Sequence, residues 1–394
     1  MTSWSVSADQ VLTFSDDGVG LVEHGAVWAV DNDIRWVGPL SELPSTAPRP
    51  RRHLRVLMPA WLECHTHAIF GGTRHEDFAR RNAGTSYAEI LEAGGGIMSS
   101  VTSSRAATDA VLLDTLLHRL ELFWAQGVAV VEVKTGYALS LAQELRHLRL
   151  IREAGRVSPV HVVSTCLAGH TVPAESAADR DAYVSMVCDE LLPAIVAENL
   201  ADQFDVFCDR GAFTIAESRR LLEAASAAGL PLRVHAEELA RTGATALACE
   251  LAAKSADHLE HIDESDIAAM AAADVAAVLL PTVTVFLDLP ERAPARALAD
   301  AGVRIAVSTD FNPGSAHGLS LQLAVSLSCS LHKLTPAEAL RGVTRVPAEV
   351  LGVDGRFGRI AAGYSATLLS FDVPDWSAVP WYLDHAPLSV ITSS

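Results

Sequence analysis

Basic residues are scarce in this chain. Lysine and arginine together number 30 against 48 acidic residues, which gives a net charge of −18. Binding to nucleic acid relies on clustered lysine and arginine side chains that contact phosphates. The only basic run lies at residues 49–55, and we interpret it as a solvated linker. Nucleic acid is therefore not expected as a partner.

Cysteines are few, and long apolar runs are missing. The six cysteines show no paired spacing, which favours reduced thiols and a cytoplasmic location. No uncharged apolar run reaches the length of about 18 residues that a membrane span needs. The N-terminal residues lack the basic start and apolar stretch of a signal peptide. We therefore expect a cytoplasmic protein with no membrane contact.

What the 394-residue chain does contain is an alternation of short β-rich runs and longer helical ones. This alternation is typical of parallel strands that are each followed by a helix. Eight such units predict an α/β fold, a (β/α)8 TIM-like barrel. The predicted strands are residues 55–64, 128–134, 159–167, 203–208, 232–236, 255–258, 275–280 and 304–309.

The two ends of the chain differ from its middle. Residues up to about 54 and residues 355–373 form short alternating runs that are separated by turn signals. We predict that both termini join in one small composite β-sandwich domain, made of residues 1–56 and 352–394. Residues 57–351 then form the barrel.

Histidines and one aspartate fall where the predicted barrel strands end. His65 and His67 are two residues apart, so on an extended strand both side chains point the same way. His235, His258 and Asp310 follow or end later strands. Barrel enzymes carry their chemistry at these strand ends. Three histidines and a carboxylate can hold one zinc or ferrous ion and leave a position for water.

Each of these residues also has an ordinary explanation. A single histidine at a strand end is more often a hydrogen-bonded residue of the core or rim. Asp310, which precedes Asn-Pro-Gly, can simply form a turn. The coincidence of all of them on one rim favours the metal site.

This order of residues resembles the amidohydrolase superfamily. Binuclear members carry a carboxylated lysine at the end of the fourth strand, whereas here that strand ends at Cys208 and Asp209 and Lys134 ends the second strand. The resemblance therefore implies one metal ion, with His258 hydrogen-bonded to the attacking water. The metal ligands that it implies are His65, His67, His235 and Asp310.

Several longer motifs resemble one family within it, the imidazolonepropionases of histidine degradation. The similarity runs from about residue 57 to 351, and its most specific parts are Arg74, the Lys-Thr-Gly-Tyr run that ends at Tyr137, and Asn-Pro-Gly at 312–314. The motifs that carry it are residues 65–74, 84–87, 94–97, 131–137, 168–173, 235–238, 255–260 and 309–314.

The resemblance implies an activity and roles for individual residues. The activity is hydrolysis of the cyclic C–N bond of 4-imidazolone-5-propanoate to N-formimidoyl-L-glutamate by metal-activated water, in a homodimer. Arg74 would hold the propionate, because its fork matches a carboxylate. The implied catalytic residues are His258, Asp310 and Glu238. Glu238 could shuttle protons or bind a ring nitrogen, and the other implied substrate-binding residues are Tyr87, Tyr137, His170, Asn312, Gly314 and Ser315.

Some positions depart from the family pattern. Strand 1 reads Pro-Ala-Trp-Leu-Glu-Cys from residue 59, and Thr-Val-Thr-Val follows strand 7 from residue 282. Ala138 and Thr367 also differ from the usual residues. These departures leave room for an alternative hypothesis. In it, the chain is a paralogous amidohydrolase or deaminase that acts on a related cyclic amide or amidine with a carboxylate side arm. A protein that binds a metal or ligand without catalysis is the third hypothesis.

Overall fold

The computed structural model describes residues 2–384 and 388–392, apart from the side chains of Tyr87, Ala88 and Leu91. In this part of the chain, 14 strands form two sheets. In chain order the strands are β1 (Ser3–Leu12), β2 (Leu21–Val30), β3 (Asp33–Pro39), β4 (His53–Pro59), β5 (Trp61–Glu63), β6 (Val128–Lys134), β7 (His161–Gly169), β8 (Gln203–Cys208), β9 (Leu232–Ala236), β10 (Ser255–His258), β11 (Ala276–Leu279), β12 (Ile305–Val307), β13 (Leu368–Phe371) and β14 (Leu388–Ile391).

Strands β5 to β12 form one sheet of eight parallel strands in sequential order. Their sequences are apolar and β-branched, as in β6, where all seven residues are buried. Strands of this kind are covered on both faces, which requires helices outside and packed side chains inside. The predicted (β/α)8 barrel is confirmed.

The helices lie between and after these strands. They are α1 (His75–Asn82), α2 (Tyr87–Glu92), α3 (Ile97–Ala106), α4 (Asp109–Ala125), α5 (Leu141–Val157), α6 (Arg180–Met186), α7 (Leu192–Glu198), α8 (Ile215–Ala227), α9 (Ala244–Glu250), α10 (Glu264–Ala273), α11 (Pro281–Leu287), α12 (Ala295–Asp300), α13 (Leu321–Ser330), α14 (Pro336–Arg341) and α15 (Arg345–Val350). A π-helical turn, Val187–Leu191, joins α6 to α7.

The barrel is closed between its first and last strands by side chains as well as backbone. An isolated parallel bridge pairs Thr66 with Phe311 just beyond β5 and β12. The Glu63 carboxylate accepts hydrogen bonds from the backbone N–H groups of His65, at 3.0 Å, and Thr309, at 3.1 Å. Burial raises the pKa of Glu63 to about 7. This seam holds the two segments that carry candidate ligands side by side.

The first predicted barrel strand, residues 55–64, is wrong as a single element. Residues up to Pro59 belong to β4 of the other sheet, and only β5 pairs within the barrel. The chain changes sheets at Ala60, whose N–H donates to Thr367 O, while the N–H of Trp61 donates to Gly127 O. Both partners are remote in sequence, so the local pattern contains no sign of the break.

The second sheet is built from both termini, as predicted. Its strand order is β14-β13-β4-β1-β2-β3, with β1 and β4 parallel and the other pairs antiparallel. An isolated bridge pairs Asp33 at the start of β3 with Ser365, just before β13, and the sheet contributes to a separate apolar cluster that includes Trp4, Val27 and Leu368. The division into two domains stays a prediction, and its boundary at residue 56 falls inside β4. Within the described residues, no helix is both long and apolar enough to span a membrane.

The ion pair between α6 and α8 makes part of the stability pH-dependent. Both oxygens of Glu217 accept hydrogen bonds from Arg180, at 2.7 and 2.8 Å, and this contact lowers the pKa of Glu217 to about 2. A folded-state pKa below the unfolded value of about 4.5 gives stability that is present above pH 4.5 and is lost as the pH falls through 2. We expect Glu217→Gln to lower the free energy of unfolding by about 1 kcal/mol at pH 7, and by progressively less below pH 4.5.

Urea denaturation at several pH values measures this effect. Glu223→Gln is the matched control. This carboxylate lies on the same helix, and its ion pair with Arg219 is longer, at 3.5 Å. A Glu217→Gln deficit that stays constant down to pH 2 would contradict the assignment.

Candidate metal centre

Five polar side chains converge where the barrel strands end. His65 and His67 follow β5, His235 lies in β9, His258 ends β10 and Asp310 follows β12, and each is at most 3% exposed. Asp310 Oδ1 lies 3.4 Å from His65 Nε2 and 3.3 Å from His67 Nε2. His235 Nε2 lies 3.4 Å from His67 Nε2. The structure thus brings together all the residues predicted as ligands.

Two of the rings are oriented by carboxylates behind them. His65 Nδ1 lies 2.6 Å from Asp257 Oδ2, and His235 Nδ1 lies 3.1 Å from Asp205 Oδ1. An ionised carboxylate only accepts hydrogen bonds, so in the neutral ring Nδ1 carries the proton. Nε2 then presents a bare lone pair to the centre, as in metal-binding histidines whose other nitrogen donates to a carboxylate.

The centre fits a cation. His65 Nε2 and Asp310 Oδ1 are both buried without a hydrogen-bond partner, although they face each other. Lone pairs that meet in this way repel each other unless a positive charge lies between them. Metal–ligand bonds of about 2.0–2.1 Å in a tetrahedral site place neighbouring ligand atoms roughly 3.4 Å apart, which matches the separations of 3.3 and 3.4 Å. Two overlapping groups can hold an ion, namely His65, His67 and Asp310, and His65, His235 and His258.

A network of buried charges supports the two orienting carboxylates. Arg233 Nη2 donates to Asp257 at 2.5 Å, and Lys134 Nζ donates to Asp205 at 2.8 Å. Glu132 joins the two cations, at 2.7 Å from Lys134 Nζ and 3.3 Å from Arg233 Nη1. All five side chains are fully buried. Lys134 is therefore committed to two carboxylates inside the barrel.

Sequence reasoning missed this network, although the strands carry a signal for it. Charged or polar residues alternate at a spacing of two within strands that are otherwise apolar, as with Glu132 and Lys134 in β6 and with Gln203 and Asp205 in β8. In a strand buried on both faces, such residues share one face. Because their charge cannot face apolar helices, that face must be the barrel interior.

Burial keeps His65, His67 and His258 neutral. It lowers the pKa of His65 and His67 well below the usual range, and nearby Lys134 and His235 lower both further. Burial likewise lowers the pKa of His258 to about 3 and raises that of Asp310. Neutral imidazoles are the form that binds metals and accepts protons.

The backbone is strained at several of these positions. Positive φ angles occur at Glu237 (56°), His258 (79°), Leu259 (74°) and Asp310 (50°), none of which is glycine. Such conformations cost about 1–3 kcal/mol each and cluster at functional sites. Here backbone hydrogen bonds hold them, from Leu259 N to Ala236 O at 3.0 Å and from His261 N to Glu237 O at 2.9 Å.

Two glutamates flank His258. Glu238 Oε2 lies 3.7 Å from His258 Nε2, and Glu260 Oε2 lies 3.9 Å from His258 Nδ1. Burial raises the pKa of Glu238 well above its usual value, and the nearby carboxylate of Glu260 raises the pKa of Glu238 further. Burial also raises the pKa of Glu260, to about 8. The sequence prediction included Glu238 and overlooked Glu260. Glu260 is therefore protonated at neutral pH and can donate a proton, and the raised pKa of Glu238 favours its protonated form as well.

Two of the side chains predicted to bind substrate lie beside this centre. His170 stacks on His67 with ring centroids 4.9 Å apart, and Tyr137 lies 5.9 Å from the same ring. Gly136 allows this approach, because a Cβ there would lie 2.7 Å from His170 Nδ1. Burial raises the pKa of Tyr137, so its hydroxyl stays protonated and can donate a hydrogen bond.

The loop after Asp310 is ordered by its own asparagine. Asn312 Nδ2 donates to Asp310 Oδ2 at 3.0 Å and to Ser315 Oγ at 2.8 Å, while Asn312 Oδ1 accepts from Gly314 N and Ser315 N, each at 2.7 Å. Asn312 thus fixes the carboxylate of Asp310 and shapes the turn. Arg74 lies against this turn, beside Gly314. The side chain of Tyr87, also predicted to bind substrate, lies outside the described residues.

Comparison with known proteins places this chain in a class. Residues 56–392 match the Amidohydrolase family, and the chain belongs to it. An adenosine deaminase from Xanthomonas campestris with bound zinc shares the fold, with a TM-score of 0.74 at 18% identity over 99% of this chain and 91% of that one. At that identity the likeness concerns the fold alone.

Closer relatives define the family within that class. The imidazolonepropionase of Rhizorhabdus wittichii is 41% identical over 96% of this chain and 96% of its own length. That of Erwinia tasmaniensis is 41% identical over 97% of this chain and 95% of its own length. The chain belongs to the imidazolonepropionase family, as its sequence motifs predict.

The facing lone pairs predict a stabilising effect of metal. We expect zinc, added to chelator-treated protein at 100 times its Kd, to stabilise the fold by about 2.7 kcal/mol, which raises Tm by several degrees. His67→Asn should abolish most of this rise, since it removes one ligand. Differential scanning calorimetry measures both shifts. The control is His118→Asn, an exposed histidine of α4, and an equal rise in all three proteins would contradict the site.

Proposed function

We propose that the chain hydrolyses the ring C–N bond of 4-imidazolone-5-propanoate to give N-formimidoyl-L-glutamate, a step in histidine degradation. The observation that carries the proposal is the position of Arg74 beside Gly314, on the turn that follows Asp310. A cation beside the proposed hydrolytic centre supports a substrate with a carboxylate, such as this propionate. The names of the relatives at 41% identity support the same substrate.

One divalent ion, zinc or iron, is proposed at this centre. The proposed ligands are His65, His67, His235 and Asp310, and both metals accept three nitrogens and a carboxylate. When bound, such an ion supplies Lewis-acid activation of water, whose pKa it lowers from about 15.7 towards 7. A single ion is favoured because Lys134 is paired with Asp205 and Glu132, and so is engaged away from a second ion.

The proton transfers are assigned to Asp310 and His258. The water oxygen bonds to the ring carbonyl carbon, the bond from that carbon to the ring nitrogen breaks, and the nitrogen takes up a proton. His258, whose pKa burial lowers to about 3, is neutral and can accept the proton of the water. Asp310 is the second candidate acceptor of this proton, and the same proton is then delivered to the leaving nitrogen.

Glu238 is assigned a role on the substrate side. Its carboxyl lies 3.7 Å from His258 Nε2 and has a raised pKa, caused mainly by burial. A protonated carboxyl can donate either to a ring nitrogen or into the path of the transferred proton. Both roles follow from the same position, and they share the requirement for an acid that is protonated at neutral pH.

The remaining contacts are proposed to hold and orient the substrate. Arg74 binds the propionate, and Tyr137 and His170 line the pocket beside His67. Tyr87, Asn312, Gly314 and Ser315 complete the binding set. Beside Arg74 and Gly314, a cavity is also lined by Phe78 of α1 and Phe286 of α11, whose ring centroids lie 5.2 Å apart.

A homodimer in the cytoplasm is the proposed setting. All six cysteines are free of disulfides, which supports a reducing compartment. The dimer rests on the family resemblance. Sedimentation velocity tests it, since a dimer sediments at twice the chain mass of 41.9 kDa.

The first test is the fall in ultraviolet absorbance of freshly prepared 4-imidazolone-5-propanoate, together with metal content per chain. We expect loss of the substrate band, N-formimidoyl-L-glutamate as product and about one metal ion per chain. A metal-loaded protein that leaves this substrate unchanged would instead support a paralogue acting on a related cyclic amide or amidine.

Substitution of His258 separates catalysis from metal binding. We expect His258→Ala to lower kcat by about 10²–10⁴-fold, the usual contribution of a general base, and to keep its metal. His235→Ala should lose both. The control is His161→Ala, at the opposite end of the barrel where β7 begins. Wild-type turnover in His258→Ala would refute the role assigned to His258.

A further inference from the structure

Arg74 is held in one orientation by a carboxylate three residues further along the chain. Its Nε donates to Asp77 Oδ2 at 2.9 Å, and the two side chains are only 14% and 13% exposed. A guanidinium can bind a carboxylate through its Nε edge or through its two Nη groups. Because Asp77 occupies Nε, the edge with the two Nη groups is the one open to a second carboxylate.

Asp77 is itself fixed by the glycine run at residues 94–96. The N–H of Gly96 donates to the same Oδ2 at 2.9 Å. A Cβ on Gly95 would lie 2.5 Å from Asp77 Oδ1, so no other residue fits there without displacing the carboxylate. Gly96 also has a φ of 74° with a ψ of −163°, a combination that glycine adopts. These glycines therefore allow the backbone to approach the carboxylate of Asp77 closely and to donate a hydrogen bond to it.

The other face of Arg74 lies directly on the turn after Asp310. A Cβ on Gly314 would lie 2.0 Å from Nη1 of Arg74 and 2.7 Å from its Cζ. The same turn is tied to Asp310, because Asn312 Nδ2 donates to Asp310 Oδ2 at 3.0 Å. The guanidinium is thus positioned on one side by Asp77 and on the other by a turn that is hydrogen-bonded to a proposed metal ligand.

We propose that Asp77 is a positioning residue that aims the Nη edge of Arg74 at the carboxylate of the substrate, and so sets the requirement for an acidic side arm. This inference rests on the proposed function. Burial raises the pKa of Asp77, but hydrogen bonds from Gly96 and Arg74 outweigh it and hold this pKa below its usual value. Asp77 is therefore ionised and accepts from both donors at neutral pH.

The test compares Asp77→Ala and Asp77→Asn with the wild type. For turnover, the substrate is 4-imidazolone-5-propanoate. For binding measured by calorimetry, the probes are the stable analogue 3-(imidazol-4-yl)propanoate and its uncharged amide. We expect Asp77→Ala to raise KM, and the Kd of the carboxylate probe, by about tenfold to a hundredfold, as for loss of a charge-assisted hydrogen bond. The kcat should change by less than about threefold, because binding common to ground and transition states is lost.

Asp77→Asn should restore the wild-type KM to within about threefold, because its amide oxygen still accepts from Arg74 and Gly96. Binding of the amide probe should be the same in the wild type and in Asp77→Ala. In an Arg74→Ala background, Asp77→Ala should add no further loss, as expected for two residues that act as one unit. Glu76→Gln is the control, an exposed acid of the same helix that lies 3.9 Å from Arg80.

Gly314→Ala provides a second variant that reaches Arg74 from the opposite side. Its added Cβ displaces the guanidinium, so the same rise in KM is expected. An unchanged KM in Asp77→Ala, or an added loss in the Arg74→Ala background, would overturn the positioning role while leaving the proposed function intact. A wild type that neither turns over the substrate nor prefers the carboxylate probe would overturn both.

Discussion

The pairing of buried cations with buried carboxylates beneath the centre is the interaction on which the rest of the site depends. Ions removed from water are costly unless each is paired and hydrogen-bonded. Arg233 and Lys134 meet this condition with Asp257, Asp205 and Glu132. Because Asp257 and Asp205 are thereby fixed in place, they can hold His65 and His235, respectively, with the lone pair of each ring facing the centre.

Buried side chains also hold together the segments that carry the candidate ligands. The ligand-bearing segments come from strands that are distant in sequence, and backbone hydrogen bonds alone close the barrel weakly between β5 and β12, where one isolated bridge is found. The carboxylate of Glu63 spans this seam, and Arg233 Nη1 donates to Cys64 O at 2.6 Å. Side chains inside the barrel thus help to fix the segment after β5, which carries His65 and His67.

Local sequence was sufficient for the elements whose partners are their sequence neighbours. The bounds predicted for β6, β8, β9 and β10 are those observed. The positions of the histidines at the ends of the predicted strands also indicated which of them would lie close together, and the structure brings them together. The break at Ala60 was not predictable, because it depends on hydrogen bonds to Thr367 and Gly127. Asp77 was missed for a related reason, since its partner Gly96 lies 19 residues further along the chain.

The crossing at Ala60 has a consequence for the order in which the molecule is made. β4 leads directly into the strand that carries His65 and His67, yet β4 pairs with β13, with Pro59 opposite Leu368. During synthesis the N-terminal part of a chain emerges first and begins to fold alone. Here β4 gains its neighbour β13 only after the whole of the intervening barrel sequence has left the ribosome. His65 and His67, the first two proposed ligands along the chain, are thus anchored through β4 by a strand that is translated after the barrel.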